Sequence, residues 1–175
     1  MKTDPLGEYR VLVALQRAIA DIPGVLPTAR GLSHFGEHAL GWLGLSGVGA
    51  LFDAPRRHRW LGLGAAAFLS HAASVVIKRV VRRPRPDHRD VKIGVGTPSK
   101  LSFPSSHATS TAAALVVAAK LAGRPWPLAG VPVMMLSRMV LGVHYPTDVA
   151  AGAALGVGTA CTVNRYVSRK YKREF

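Results

Sequence analysis

Residues 60–86 read WLGLGAAAFLSHAASVVIKRVVRRPRP. The first 18 of them, Trp60 to Ile77, carry no Lys, Arg, Asp or Glu, and the last nine hold five Arg or Lys. Such a join, an apolar run that ends abruptly in cations and prolines, belongs to a helix leaving a bilayer at a charged surface. Four more uncharged runs surround it: His38–Phe52 (15 residues), Leu101–Ala119 (19), Pro125–Ser137 (13) and Val149–Asn164 (16). Each falls short of the roughly 20 residues that cross a hydrocarbon core. They are rich in Ala and Gly, and Gly62, Gly64, Gly152, Gly156 and Gly158 would let helix backbones approach closely. Five such runs between Arg- or Pro-rich joints predict an all-α, multi-pass membrane helical bundle of about five short transmembrane helices.

Composition narrows the class further. The 175 residues hold 23 Lys+Arg against 9 Asp+Glu, a net charge of +14, with 49% hydrophobic residues. Mean hydropathy is +0.20. A disordered basic tail would be far less apolar. One cysteine, Cys161, excludes an intrachain disulfide framework and a Cys-rich zinc site. The cations flank apolar runs instead of covering a soluble face, which argues against nucleic acid as a partner. The length fits a single domain spanning 1–175, without repeats. Within it, residues 1–25 mix charge and apolar residues at helical spacing and predict an interfacial amphipathic helix. No secretory pattern is present, because Asp4 and Glu8 precede any apolar stretch.

With five spans, connectivity assigns sides. Pro55–Arg59, the joint around Arg124 and a basic tail, 165–175, share one face, A. The N-terminal helix, an active-site loop segment over 82–106 and Val143–Thr147 share the other, B. The positive-inside count is tied, and the dense tail tilts face A towards the cytoplasm, which makes face B extracytoplasmic.

Face B gathers the reactive side chains. Lys78 ends a span, and Arg85-Pro86 follows seven residues later; Arg supplies forked donors and Lys a point charge, a pairing suited to a phosphoryl group. Pro104-Ser105-Ser106-His107 precedes an apolar run as a helix start would, where free N–H groups bind anions. Arg138 interrupts an apolar run at a cost of roughly 2.5–3.5 kcal/mol unless partnered, which implies a counter-ion or an anionic ligand. His144 and Asp148 flank Pro146; a carboxylate on one imidazole nitrogen frees the other as a nucleophile, although such pairs also serve as structural hydrogen bonds. His34, Glu37 and His38, at i, i+3 and i+4, share one face of a helix at the entry of the first span. They read either as interfacial residues in headgroup water or as ligands for sugar hydroxyls.

Taken together, Lys78-x6-Arg85-Pro86, Pro104-Ser105-Ser106-His107 and Ser137-Arg138-x5-His144-x3-Asp148 resemble the tripartite signature of the type 2 phosphatidic acid phosphatase superfamily. Ser106 stands where the usual pattern has Gly. The resemblance implies a metal-independent lipid-phosphate phosphatase without a cofactor. It implies that His144 attacks phosphorus and becomes a phosphohistidine, that Asp148 orients it, and that His107 acts as acid and then base. Lys78, Arg85, Ser105, Arg138 and the backbone near Ser106 would hold the phosphate oxygens. Further stretches (33–38, 76–83, 96–103 and 141–146) resemble an actinobacterial branch of the superfamily. Its substrate is a polyprenyl-linked phosphosugar, decaprenylphosphoryl-5-phosphoribose. The implied reaction removes the 5-phosphate in the synthesis of the cell-wall arabinan precursor. A broad phosphatidic acid or polyprenyl-pyrophosphate phosphatase would use the same residues. A non-enzymatic reading, binding of anionic membrane lipids by the arginines, needs no particular spacing. Oligomeric state is open, a homo-oligomer included.

Overall fold

The longest uncharged run forms the helix that organises the rest. In the computed structural model, which describes Asp4 and residues 6–171, helix α4 spans Arg57–Val81 and stops where Arg82 turns left-handed (φ 56°), two residues before Pro84. Six further α-helices are described: α1 Tyr9–Ile19, α2 Val25–Gly36, α3 Leu40–Phe52, α5 Ser106–Ala122, α6 Gly130–Val140 and α7 Pro146–Tyr171. Among the described residues there is no strand, only an isolated bridge between Pro84 and Leu101. The chain is all-α.

Helix α5 lies at the centre, packed against α4, α6 and α7. Eleven of its 17 residues are buried, and most are Ala, Ser or Thr. Small residues permit that burial because they bring backbones together. A Cβ on Gly152 of α7 would lie 2.6 Å from Ser105 O, and one on Gly156 would collide with Thr109 O. The expected close approach through glycine therefore holds at these two positions and at Gly64, where a Cβ would lie 2.5 Å from Ser46 Oγ. At Gly158 nothing lies nearby, and at Gly62 the nearest neighbour is at ordinary contact distance. The hydroxyls of α5 bond within the helix, Thr109 to Ser105 O (2.8 Å) and Ser110 to Ser106 O (3.1 Å), while Thr111 accepts Trp42 Nε1–H at 3.1 Å. None of these three hydroxyls needs water. Many large apolar side chains point outward: Phe52 is 86% exposed and Val80 77%. A bundle with small residues inside and large apolar ones outside suits hydrocarbon surroundings.

Three expectations change. The residues before 25 do not form one interfacial helix: α1 ends at Ile19, a break with Gly24 at φ 89° follows, and α2 starts at Val25. Residues 1–3 and 5 lie outside the described ones. The stretch 165–171 continues α7 and is no separate tail; the remainder, 172–175, lies outside the described residues. Finally, one described helix, Ala54–Val81, is long and apolar enough to cross a membrane on its own. Helices α3 (13 residues), α5 (17) and α6 (11) are too short, and α7 mixes its apolar residues with Pro146, Asp148, several Gly and Thr, and the cations of its last turns. The count of five spans is thus not established by length and hydropathy.

Hydrogen bonds tie the chain together at both ends of the bundle. Arg56 Nη1 donates to Leu121 O (3.4 Å), joining the 53–56 turn to the end of α5 on face A. On face B, Gln16 of α1 bonds Lys92 N, Lys92 O and Val140 O, and Gly94 N–H reaches Leu141 O at 2.9 Å. The segment 82–105 doubles back on itself through Arg85 N–H to Lys100 O (3.2 Å) and Ser102 N–H to Arg83 O (2.8 Å). This strapping holds the loop over the ends of α4, α5 and α6.

Candidate active site

The turn that follows α6 places the first reactive group. Gly142 sits at φ 70°, and a Cβ there would meet Lys92 O at 2.5 Å, so only glycine lets α6 turn sharply under the loop. Two residues later His144 is 1% exposed. Its Nδ1 faces Asp148 Oδ2 at 3.7 Å, across the first turn of α7. Its Nε2 lies 3.2 Å from Arg85 Nη1. Because guanidinium only donates, Nε2 is the unprotonated nitrogen and Nδ1 carries the hydrogen, directed at the carboxylate. About 0.8 Å of closure would convert the Nδ1–Asp148 contact into a hydrogen bond, a tightening that sites without substrate commonly await. Burial, aided by Arg85, Arg138 and Lys78, holds His144 well below the ordinary imidazole range. The ring is therefore neutral and nucleophilic at neutral pH.

Cations surround it. Lys78 Nζ is tethered by Pro104 O (2.6 Å) and Ser102 O (3.2 Å). Arg85 is fixed by Ser99 O at Nε and Val143 O at Nη1, both 2.7 Å; burial lowers it to about 10, opposed by Asp148. Arg138, 1% exposed, donates from Nη1 to Ser33 Oγ (2.7 Å), and its Nε has no hydrogen-bond partner. Ser105 Oγ is likewise buried and unpartnered, at the N-cap of α5. Unfilled donors, three cations and the N-terminus of a 17-residue helix make an anion cradle.

His107 occupies the next position along α5. Its Nε2 bonds Ser33 O at 2.9 Å. A carbonyl only accepts, so Nε2 carries the hydrogen and Nδ1 is the nitrogen with a free lone pair. Ser106 turns its hydroxyl to Ser74 on α4 (2.8 Å), so the residue in place of the usual Gly packs against a neighbouring helix. The end of α2 approaches the imidazole so closely that a Cβ on Gly36 would fall 2.7 Å from His107 Cδ2. We expect Gly36→Ala to displace the ring and lower kcat about tenfold while circular dichroism and thermal stability stay near wild type; a kcat within twofold of wild type would contradict this.

Lys78, Arg85, Ser106, His107, Arg138 and His144 all line one cavity of about 300 Å³. His34, Glu37 and His38 line it too, though not for the expected reason. They do not share one helical face: α2 ends at Gly36, and His38 (φ 51°) and Ala39 (φ 61°) break the chain before α3. The kink brings them to the cavity wall instead. Several residues around the site escape sequence reading. Ser33 bonds both Arg138 and His107, His71 lines the cavity with its Nδ1 unpartnered, and Ser99 O holds Arg85. Arg83 bonds Asp148. Only His71 carries a usable signal, as an ionisable residue within the apolar run Trp60–Ile77. Among the described residues no group of three His, Cys, Asp or Glu is placed to hold a metal ion.

Cations and a helix N-terminus thus stand beside two imidazoles, and sequence comparison supplies the class: the pattern of the PAP2 superfamily matches residues 59–172, and the chain belongs to that superfamily. It is a phosphatase, a phosphoric monoester hydrolase. Among curated relatives, decaprenylphosphoryl-5-phosphoribose phosphatase of Mycolicibacterium smegmatis is 61% identical over 152 residues, covering 87% of this chain and 84% of that protein. The protein of that name from Mycobacterium tuberculosis is 56% identical over 160 residues, 91% and 90% of the two chains. Among solved structures, Aquifex aeolicus LpxE superposes with a TM-score of 0.74 at 20% identity, over 90% of this chain and 94% of its own. A transmembrane PAP2 type phosphatidylglycerolphosphate phosphatase from Bacillus subtilis gives 0.71 at 24%, over 92% and 86%. These two establish the fold.

Proposed function

We propose that this protein removes the 5-phosphate from decaprenylphosphoryl-5-phosphoribose, through a phosphohistidine on His144 and without a metal ion. The observation that carries the reading is the meeting of His144 Nε2, Lys78, Arg85, Arg138 and His107 on a single cavity wall. In the first step Nε2 forms a bond to phosphorus and the bond from phosphorus to the sugar 5-oxygen breaks. His107, protonated at Nδ1, gives that oxygen its proton. In the second step His107 takes a proton from water, the water oxygen bonds phosphorus, and the bond to Nε2 breaks to release phosphate. Asp148 stabilises the positive charge that the His144 ring holds in between. The three cations neutralise the phosphate oxygens throughout, the electrostatic work that metal ions perform in other phosphoryl transfers.

Two features favour a lipid-linked phosphosugar. His34, Glu37 and His38 offer the donors and acceptors that sugar hydroxyls need, on the wall beside the phosphate cradle. A second cavity of about 480 Å³, lined by apolar side chains including Phe35, Trp42, Trp126 and Met134, suits a prenyl tail. Met134 adjoins Gly36, which also abuts His107, so the apolar cavity ends against the wall of the polar one. The deciding experiment is phosphate release by purified protein from a panel of lipid phosphates with EDTA present. Highest kcat/KM on the phosphoribosyl lipid supports the reading; equal or better turnover of phosphatidic acid or a polyprenyl pyrophosphate would replace it with a broader one. Within that panel, Glu37→Gln combined with His38→Ala should lower kcat/KM about tenfold on the phosphoribosyl lipid and less than twofold on phosphatidic acid. Equal losses on both would remove the headgroup role.

The reading places the chain as a multi-pass protein of the plasma membrane, with face B extracytoplasmic. A cysteine introduced between Asp87 and Val95, in a chain with Cys161→Ala, should be labelled by an impermeant thiol reagent in intact cells. Labelling only after permeabilisation would put the site on the cytoplasmic side.

A further inference from the structure

Asp148 faces His144 with one carboxylate oxygen and is held by Arg83 at the other. Oδ2 accepts the Tyr145 N–H at 2.8 Å and faces His144; Oδ1 accepts Arg83 Nη1 at 3.0 Å. Arg83 Nη2 in turn donates to Glu8 Oε1 at 2.6 Å. Glu8, at the entrance to α1, also accepts the backbone N–H and the hydroxyl of Thr147, each at 2.8 Å. Arg83 donates to that hydroxyl as well (2.6 Å), and its guanidinium lies 4.1 Å over the Tyr145 ring. The side chains of Glu8 and Arg83 are only 8% and 16% exposed. Asp4 closes the chain behind them by accepting the N–H groups of Glu8 (2.9 Å) and Tyr9 (2.7 Å).

We infer that Glu8 and Arg83 are positioning residues for Asp148, and that the N-terminal helix α1 is therefore part of the phosphoryl-transfer apparatus and more than a membrane-surface anchor. The inference rests on the reading of His144 and Asp148 given above. Neither residue lines the cavity, so neither touches the phosphate. Their action is through geometry and charge. Arg83 is shared between two carboxylates. Without Glu8, both its terminal nitrogens would be free to clasp Asp148, turning the carboxylate from the imidazole. The charges alternate from Asp148 (−) to Arg83 (+) to Glu8 (−), so the set carries one net negative charge against a His144 ring that becomes cationic on phosphorylation. Replacing Glu8 by a neutral side chain removes that net charge. A network whose members act as one unit is also non-additive on deletion.

The test uses full-length protein in detergent or vesicles, with steady-state and single-turnover rates for Glu8→Gln, Arg83→Gln, their combination and His144→Ala. Glu8→Gln should lower kcat about tenfold, the scale of lost outer partners of an oriented imidazole, with KM within about twofold. Single-turnover rates, which report only molecules that fold and bind, should fall in the same ratio. The double variant should be no slower than Arg83→Gln alone, and Glu8→Asp should recover part of the loss. Multiplicative losses in the double variant would overturn the inference. So would a lowered thermal stability with unchanged single-turnover rate, the mark of a purely structural strut. An active His144→Ala would sink the phosphohistidine reading instead. An inactive His144→Ala beside a fully active Glu8→Gln would sink only this inference.

Discussion

His144→Ala should lose essentially all phosphate release, a fall of about 10⁴-fold or more in kcat, with the protein still folded and still binding lipid phosphate. The magnitude follows from the role. An imidazole that only oriented phosphate could be replaced in part by Lys78, Arg85 and Arg138, which would go on binding it. A nucleophile cannot be replaced by charge. The alanine leaves a void beside Asp148, and water admitted there is a weaker nucleophile than a neutral imidazole, while in that step His107 would already be needed to protonate the departing oxygen. Asp148→Asn should be less severe, about 10²- to 10³-fold, because the amide keeps the shape and loses the charge that stabilises the His144 ring. The measurement is phosphate release under excess substrate, paired with binding of a non-hydrolysable phosphonate. Residual turnover above a few per cent in His144→Ala would return the site to the lipid-binding reading, in which the arginines matter and the histidine does not.

What the sequence makes legible follows from where the constraint is local. Ser137-Arg138-x5-His144-x3-Asp148 is readable because one turn and one helical step set its spacing, and chemistry demands each residue type. Lys78 and Arg85 are readable for the same reason, since a helix end and a proline aim them. Glu8 is not readable as part of the site: its partner Thr147 lies 139 positions away, and no periodicity encodes that contact. The wall formed by His34, Glu37 and His38 is legible in membership but not in geometry. Helical spacing assigns them one face, whereas positive φ at His38 and Ala39, which side chains with a Cβ adopt reluctantly, breaks the helix there. The expected spans are the hardest case. Their apolar runs are short and rich in Ala, Gly and Thr because backbones must touch, as at Gly152 and Gly156, and that same composition lowers the hydropathy by which a span is recognised.

His107→Asn separates the two chemical steps, and its effect should depend on the leaving group. On the phosphoribosyl lipid the departing sugar oxygen is a poor leaving group that needs a proton as its bond to phosphorus breaks. The carboxamide of the variant has no such proton to give, so the first step stalls; turnover should fall about 10³-fold with no phosphoenzyme accumulating. On an aryl phosphate such as p-nitrophenyl phosphate the departing oxygen needs no proton, and the first step should proceed at a rate near wild type. The second step still needs a base to take the proton of the attacking water. The variant should therefore release one equivalent of nitrophenol in a burst and then stop, holding an acid-labile, base-stable phosphoryl group on His144. Mass spectrometry of a digest after alkaline quench would locate that group, and His144→Ala in the same background should abolish both burst and label. A slow, burst-free release of nitrophenol would mean that His107 assists the attack of His144 itself, and would assign the acid and base roles to another group on the cavity wall, where His71 stands with an unpartnered Nδ1.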